Sequence, residues 1–116
     1  MALDEIHTAR LNKVVGAFIT KHRPPPHVRP KLDLGFRLDD QSVEIFEVRP
    51  RWRGAPGENI NSPVAKATYV KTRGHWRVFW RRSDLKWHAY PSAPHVGSIE
   101  AFLKLVAEDK HACFFG

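Results

Sequence analysis

The sequence predicts an α+β fold: an antiparallel sheet of about five strands, flanked by an N-terminal and a C-terminal helix. Two observations lead to this fold class. Apolar residues recur at steps of three and four near both ends of the 116-residue chain, and between them lie several shorter segments that alternate apolar and polar residues or are continuously apolar. Residues 1–116 are expected to form a single domain, because their number suits one hydrophobic core.

The first predicted element is a helix from Ala2 to about His22. Its apolar residues form one stripe, and the prolines at positions 24–26 end it because proline cannot continue the hydrogen-bond ladder. Two strands are predicted next. The segment Leu32 to Leu38 alternates apolar and polar side chains, and Val43 to Val48 returns after a turn at positions 39–40.

The second half of the chain starts with residues 49–63, whose three prolines and two glycines predict a long irregular loop. Strands are then predicted for Pro63 to Lys71, Trp76 to Trp80 and Leu85 to Tyr90, joined by tight turns. Ser98 is a good N-cap for the closing helix. The apolar face of that helix consists of Ile99, Phe102, Leu103 and Val106.

Turn positions predict which side chains share a face of the sheet. A two-residue turn at positions 73–74 makes Tyr69 face Val78 across the hairpin. A two-residue turn in the next hairpin makes Trp80 face Trp87. Both pairs are then expected on the same side of the sheet.

The three tryptophans of these strands are expected in the core. Burying one tryptophan contributes about 4 to 6 kcal/mol as an upper bound, whereas burying an unpaired arginine or lysine costs several kcal/mol. The cations of the same strands must therefore point outward. The predicted core residues are Trp76, Trp80, Trp87, Tyr69, Val78, Leu32, Leu34, Phe36, Phe18, Val14, Phe102 and Val106.

The positive charge is concentrated in the middle of the chain. The net charge is +7, and residues 49–87 carry ten Lys and Arg against two Asp and Glu. Such a concentration favours a polyanionic partner. The main hypothesis is therefore non-catalytic binding of nucleic acid, as single strands or through the phosphate backbone, by the basic face of the sheet and the arginine-rich segment that begins at Arg49. The candidate contact residues are Arg49, Arg51, Trp52, Arg53, Lys66, Arg77, Phe79, Arg81, Lys86, His88 and Tyr90.

Other interpretations of the same residues stay open. The arginines beside Phe79 and Tyr90 also suit a solvated sheet face on which their aliphatic stems cover the rings, and Trp52 also suits a loop anchor. The second hypothesis is a protein interaction module, or a self-associating protein, that uses an exposed sheet edge or apolar patch. A nuclease is a remote alternative, because the Glu-x-Lys step that such sites place on one strand does not occur in the predicted strands.

No catalytic residue, cofactor or metal site is predicted, which favours a role other than catalysis without deciding it. No Cys-x-x-Cys or His-x-x-x-His spacing occurs among His75, His88, His95, His111 and Cys113, and no Gly-rich phosphate loop is present. The His111 to Cys113 segment is interpreted as part of an apolar tail that docks on the core. A single cysteine and the lack of a signal peptide or an apolar run of about 18 residues predict a cytoplasmic protein with no membrane partner. The oligomeric state is left open.

Two strings suggest a family. The segment FWRRSDLKWHAYP, followed about twenty residues later by HACFFG, resembles a group of short bacterial proteins known as the domain of unknown function 3024 family. The resemblance covers nearly the whole chain, and DLKWH and CFFG are its specific parts. It implies a bacterial, cytoplasmic, stand-alone domain and carries no activity or site residue.

Overall fold

The computed structural model describes residues 4–51, 58–82 and 84–109. The chain has the α+β architecture that the sequence predicts, with one helix on each side of a run of strands in chain order. The helices are α1 (Glu5–His22) and α2 (Ile99–Glu108). The strands are β1 (Asp33–Asp39), β2 (Ser42–Pro50), β3 (Asn59–Val70), β4 (His75–Arg81), β5 (Trp87–Ala89) and β6 (His95–Val96).

The strands form one antiparallel sheet in the order β1-β2-β3-β4-β5, and the short β6 also pairs with β4. The strand β5 lies beside residues 79–81 of β4, whereas β6 lies beside residues 76–77. Because each of the first four strands pairs with the next one along the chain, β1 to β5 form a simple meander. No helix within the described ranges is long and apolar enough to span a membrane.

Both helices begin with the side-chain caps that their sequences favour. Asp4 accepts a 2.8 Å hydrogen bond from the backbone N–H of His7, and Ser98 accepts one of 3.1 Å from that of Ala101. The predicted N-cap of the closing helix is therefore confirmed. At the other end of α1, Arg23 donates two hydrogen bonds of 2.9 and 2.6 Å to the carboxylate of Asp33, which fastens the helix end to β1 and lowers the pKa of Asp33.

The core lies between the two helices and one face of the sheet, called the inner face here. Fully buried members include Val43 of β2, Val78 of β4 and Phe102 of α2. The opposite side of the sheet is called the outer face. The buried apolar cluster consists of Leu11, Val15, Ile19, Val43, Ile45, Val64, Ala65, Ala67, Trp76, Val78, Tyr90, Ile99, Phe102, Leu103 and Val106.

The predicted register of the β3–β4 hairpin is wrong by two residues. Tyr69 lies opposite Trp76 instead of Val78, because the turn spans four residues, 71–74, instead of two. A shift of two leaves every side chain on its predicted face, since strand side chains alternate with a period of two. Trp76 and Val78 are accordingly buried in the core, as expected.

The predicted register of the β4–β5 hairpin is wrong by one residue, and this reverses β5. Trp80 lies opposite His88, and Trp87 lies opposite Arg81. Trp87 is therefore on the outer face, opposite to its predicted placement, and Tyr90 takes the buried position at 2% exposure. Because Tyr90 is buried in place of Trp87, most of the buried aromatic area is kept. The geometry of the turn therefore decides which of the two rings is buried.

Two strands extend further than the sequence predicts. The residues from Glu47 to Pro50 pair with those from Asn59 to Ser62, so both ends of the predicted loop at 49–63 are strand. Residues 52–57 lie outside the described part of the chain. Pro50 is the last residue of β2, and Pro63 lies beside the register shift of the β2–β3 pair, where proline is tolerated in sheets. Of the predicted core, Val14, Phe18, Leu32, Leu34, Phe36, Tyr69 and Trp80 are half-buried at its margin.

The contact between Gly35 of β1 and Phe46 of β2, on the side of the sheet away from the helices, can be tested by mutation. Gly35 lies opposite Phe46, and a Cβ added to it would come within 2.6 Å of the Phe46 ring. We expect Gly35→Ala to lower the free energy of unfolding by about 1 to 3 kcal/mol, because the ring must leave its position. Urea denaturation measures the loss. The matched control is Gly97→Ala, whose added Cβ meets nothing within 4 Å and is expected to change stability by less than about 0.5 kcal/mol; equal effects of the two variants would contradict the packing.

Candidate functional site

The outer face carries charged and aromatic side chains along adjacent strands. One row crosses the sheet through Arg37, Glu44, Lys66, Phe79 and Ala89, which are cross-strand partners. The helices pack on the inner face, and within the described residues no helix covers the outer one. In the described part of the chain, this face is therefore free of packed helices.

Lys66 lies between two aromatic rings on this face. Its Nζ is 5.0 Å from the ring centroid of Phe79 and 5.0 Å from that of Trp87, and the guanidinium carbon of Arg77 is also 5.0 Å from the Phe79 centroid. We call these four residues the cation–aromatic cluster. Burial by the rings lowers the pKa of Lys66, while the charges of Glu44 and Asp39 oppose that shift.

Carboxylates restrict where the outer face is positive. Glu44 is only 7% exposed and is held by Arg37, whose guanidinium donates to its carboxylate at 3.2 Å. Asp39 adds a second negative charge on the same side of the sheet. The excess of positive charge therefore lies over β3, β4 and β5, where Lys66 and Arg77 are joined by Arg81. A nuclease site would require a carboxylate that is free to bind a metal ion, whereas Glu44 is paired with Arg37.

The turn between β4 and β5 continues the positive region beyond the sheet. Asp84 organises it by accepting a 2.9 Å hydrogen bond from the backbone N–H of Lys86 and by contacting Nε2 of His88 at 2.8 Å. The Lys86 hydrogen bond first, and His88 second, lower the pKa of Asp84. Arg81 also donates from Nε to the carbonyl of Leu85 at 3.3 Å. The turn is thus closed by side chains and backbone together.

Four of the eleven predicted contact residues lie together on the outer face: Lys66, Arg77, Phe79 and Arg81. Lys86 is exposed in the adjoining turn. The other β5 candidates are not on that face, because the register differs by one residue. His88 is half-buried beside Asp84, and Tyr90 is in the core.

The arginine-rich segment is not brought to the outer face where the structure describes it. Arg49 pairs with Glu47 at 2.9 Å and lines a groove on the helix side of the sheet together with Phe18 of α1. Arg51 lies 3.9 Å from Glu58. Trp52 and Arg53 lie outside the described residues.

Trp87 is the member of the outer face that the sequence did not indicate. Its position depends on a turn in which three residues separate Arg82 from Lys86, with Leu85 in the left-handed conformation at φ 63°. Glycine is the usual residue there, and its presence is the sequence signal for such a turn. Because this chain has leucine instead, the signal is missing.

A second cluster of titratable groups, His75 and His95, lies near the cation–aromatic cluster. The rings of His75 and His95 stack with their centroids 4.7 Å apart, and burial, with smaller contributions from His95 and the nearby arginines, lowers the pKa of His75. Throughout the described ranges, no three His, Cys, Asp or Glu side chains converge as metal ligands would.

Comparison with known proteins identifies the family. A family model described as "Domain of unknown function (DUF3024)" matches residues 3–116. The chain belongs to the DUF3024 family. The match confirms the resemblance carried by the DLKWH and CFFG strings. No curated protein matches this DUF3024 chain, and no solved structure does either.

The role of Asp84 in the turn can be tested by pH titration. Its folded-state pKa is lowered, so its stabilisation of the turn is present above the ordinary aspartate pKa of about 3.9 and is lost as the pH falls through the lower folded value. NMR of the Asp84 carboxyl carbon should give a midpoint below about 3.9, with the Lys86 amide proton shifting at the same midpoint. In Asp84→Ala the Lys86 amide should no longer follow this titration. A midpoint at or above the ordinary value would be inconsistent with the turn described.

Proposed function

We propose that this DUF3024 protein binds nucleic acid without catalysis, through the outer face of its sheet. Cationic side chains over β3 to β5 contact phosphates, and unpaired bases stack on Phe79 and Trp87. The observation that carries the proposal is the cation–aromatic cluster itself, which lies on the face that the described helices leave open. This combination of rings and cations is the chemistry that sheet-surface binders of single strands use.

Magnitudes favour stacking over the contacts that the rings already make. An exposed cation–π contact contributes about 0.5 to 1 kcal/mol, whereas a base stacked on an aromatic ring contributes about 1 to 3 kcal/mol. A base that displaces the exposed Arg77 from the Phe79 ring therefore gains more than the protein loses. The displaced cation remains beside the phosphate of the same nucleotide, where its charge is also used.

Single strands suit the geometry better than a duplex. In a duplex the base faces are stacked on one another, so rings on a sheet surface reach bases only where these are unpaired. No helix projects from the outer face within the described residues, and a helix or a ribbon is what enters the major groove. Phosphate contacts without base-edge readout imply weak sequence preference.

A protein interaction module is the second candidate. The strand β1 is at one edge of the sheet. On the side away from β2, its backbone groups have no neighbouring strand within the described residues. A second copy or another chain with an exposed strand would pair there. Light scattering over a concentration series, with a pull-down after nuclease treatment, distinguishes this candidate from nucleic-acid binding.

We also propose that the protein acts in the bacterial cytoplasm. The single cysteine agrees with a reducing compartment, where nucleic acid is the most abundant polyanion. The bacterial origin rests on the sequence resemblance to short bacterial proteins.

The proposal predicts salt-dependent binding. We expect fluorescently labelled single-stranded DNA and RNA to bind in anisotropy titrations, more tightly than duplexes of the same length. About four phosphate contacts should weaken binding about 50-fold between about 50 and 200 mM salt. The double variant Arg77→Glu and Arg81→Glu should abolish binding at the higher salt concentration.

The matched control reverses two charges away from the outer face. Lys13→Glu with Lys31→Glu changes two exposed residues and lowers the net charge from +7 to +3, as the test variant does. This control should bind within about threefold of the unmodified protein at 200 mM salt, because long-range attraction is screened there. Undiminished binding by the Arg77 and Arg81 variant would contradict the proposed interface.

A further inference from the structure

Leu85, in the turn between β4 and β5, combines two features that do not favour folding. Its backbone is left-handed, with φ at 63°, a conformation that glycine adopts freely and other residues adopt at a cost. Its side chain is 70% exposed. A leucine that is both strained and exposed contributes little to the stability of the isolated protein, and strained residues of this kind concentrate at functional sites.

The surrounding turn holds Leu85 in this conformation. Its N–H donates to the carbonyl of Arg82 at 2.8 Å, and the N–H of Arg82 donates to the carbonyl of Lys86 at 3.2 Å. The carbonyl of Leu85 accepts from Arg81, and Asp84 binds the next backbone N–H. The chain on both sides of the apolar side chain is therefore fixed.

The position of Leu85 indicates a partner with negative charge and apolar faces. Lys86 follows it directly, and Trp87 of the outer face is two residues away, whereas the guanidinium carbon of Arg82 lies 5.5 Å from the ring centroid of Trp80 on the other side of the sheet. The other large apolar residues that are exposed in the described part of the chain are Ile6, 81% exposed in a helix, and Ile60, 45% exposed in a strand, and neither has a positive φ. Leu85 thus differs from them in both conformation and electrostatic surroundings.

We propose that Leu85 is an apolar wedge of the nucleic-acid interface, which inserts between two adjacent bases at the β4–β5 end of the outer face. The inference rests on the proposed function and adds the residue that unstacks the strand. Leucine is one of the side chains that proteins insert between base steps, and unstacking costs least in single strands. Lys86 remains at the phosphate while the side chain of Leu85 enters between the bases.

Bases fit these observations better than an anionic membrane. Membrane attachment by a turn requires several apolar residues at its tip, since the buried apolar area sets the binding strength. Leu85 is the single large apolar side chain exposed in the described residues of this turn, and the nearest ring, Trp87, lies against Lys66 on the sheet. A base on either side of the leucine requires only the one side chain.

The test is Leu85→Gly, with a single-stranded DNA of about twelve nucleotides that contains adjacent 2-aminopurines. Glycine relieves the left-handed strain, so the melting temperature should rise by about 2 to 4 °C. Affinity should nevertheless fall about 5- to 20-fold, as expected for one lost base contact. The dependence of affinity on salt should be unchanged because no phosphate contact is removed. The increase in 2-aminopurine fluorescence that the unmodified protein causes by unstacking should disappear.

The control Ile60→Ala removes an exposed apolar side chain elsewhere and should change neither affinity nor fluorescence. If Leu85→Gly binds and unstacks like the unmodified protein while the Arg77 and Arg81 charge reversal abolishes binding, the wedge is wrong and the proposed function stands. If the unmodified protein binds no nucleic acid, both are wrong. If it binds vesicles of phosphatidylserine and phosphatidylcholine instead, and Leu85→Gly releases it, the partner is a membrane and both proposals are overturned.

Discussion

Burial of the inner face of the sheet against the two helices is the constraint on which the rest of the structure depends. Val43, Ala67 and Val78 occupy the centre of this face without exposed surface, and Phe102 of α2 is buried in the same cluster. Because side chains alternate along each strand, the residues immediately before and after these positions must point to the other side of the sheet. The cations of β3 and β4 are on the outer face for this reason.

The same alternation gives the turn between β4 and β5 its influence. A turn that is one residue longer than predicted places Tyr90 in the core instead of Trp87, and it reverses which side chains of β5 lie on the outer face. The turn adopted here places an indole ring beside Lys66. The backbone conformation of Leu85 therefore affects which side chain lies beside Lys66, although the two residues are far apart in the sequence.

Much of the fold follows from short-range signals in the sequence. The Ser98 cap, the prolines after α1 and the alternation in β1 each depend on neighbouring residues, and each led to a correct element. Elements decided by pairing were harder to predict. The extension of β2 and β3 into a segment rich in proline and glycine depends on contacts between strands, and β6 has only two residues.

The candidate site was predictable to the extent that it depends on charge and alternation. Lys66, Arg77 and Phe79 lie on one face because they occupy alternate positions on paired strands, and a turn of four residues instead of two preserves this alternation. Trp87 was assigned to the wrong face because its position depends on a left-handed residue that is not glycine. Such a residue is held by tertiary and turn hydrogen bonds, which a propensity scale does not include.

The central claim is that bases contact the rings of the outer face. Ultraviolet crosslinking of a single-stranded oligonucleotide containing 5-bromouracil, followed by mass spectrometry of the crosslinked peptides, tests it most directly. Crosslinks are expected at Phe79 or Trp87 and should be lost when the charges of Arg77 and Arg81 are reversed. Crosslinks confined to α1, α2 or the groove beside Arg49 would contradict it, since those residues lie on the opposite side of the sheet.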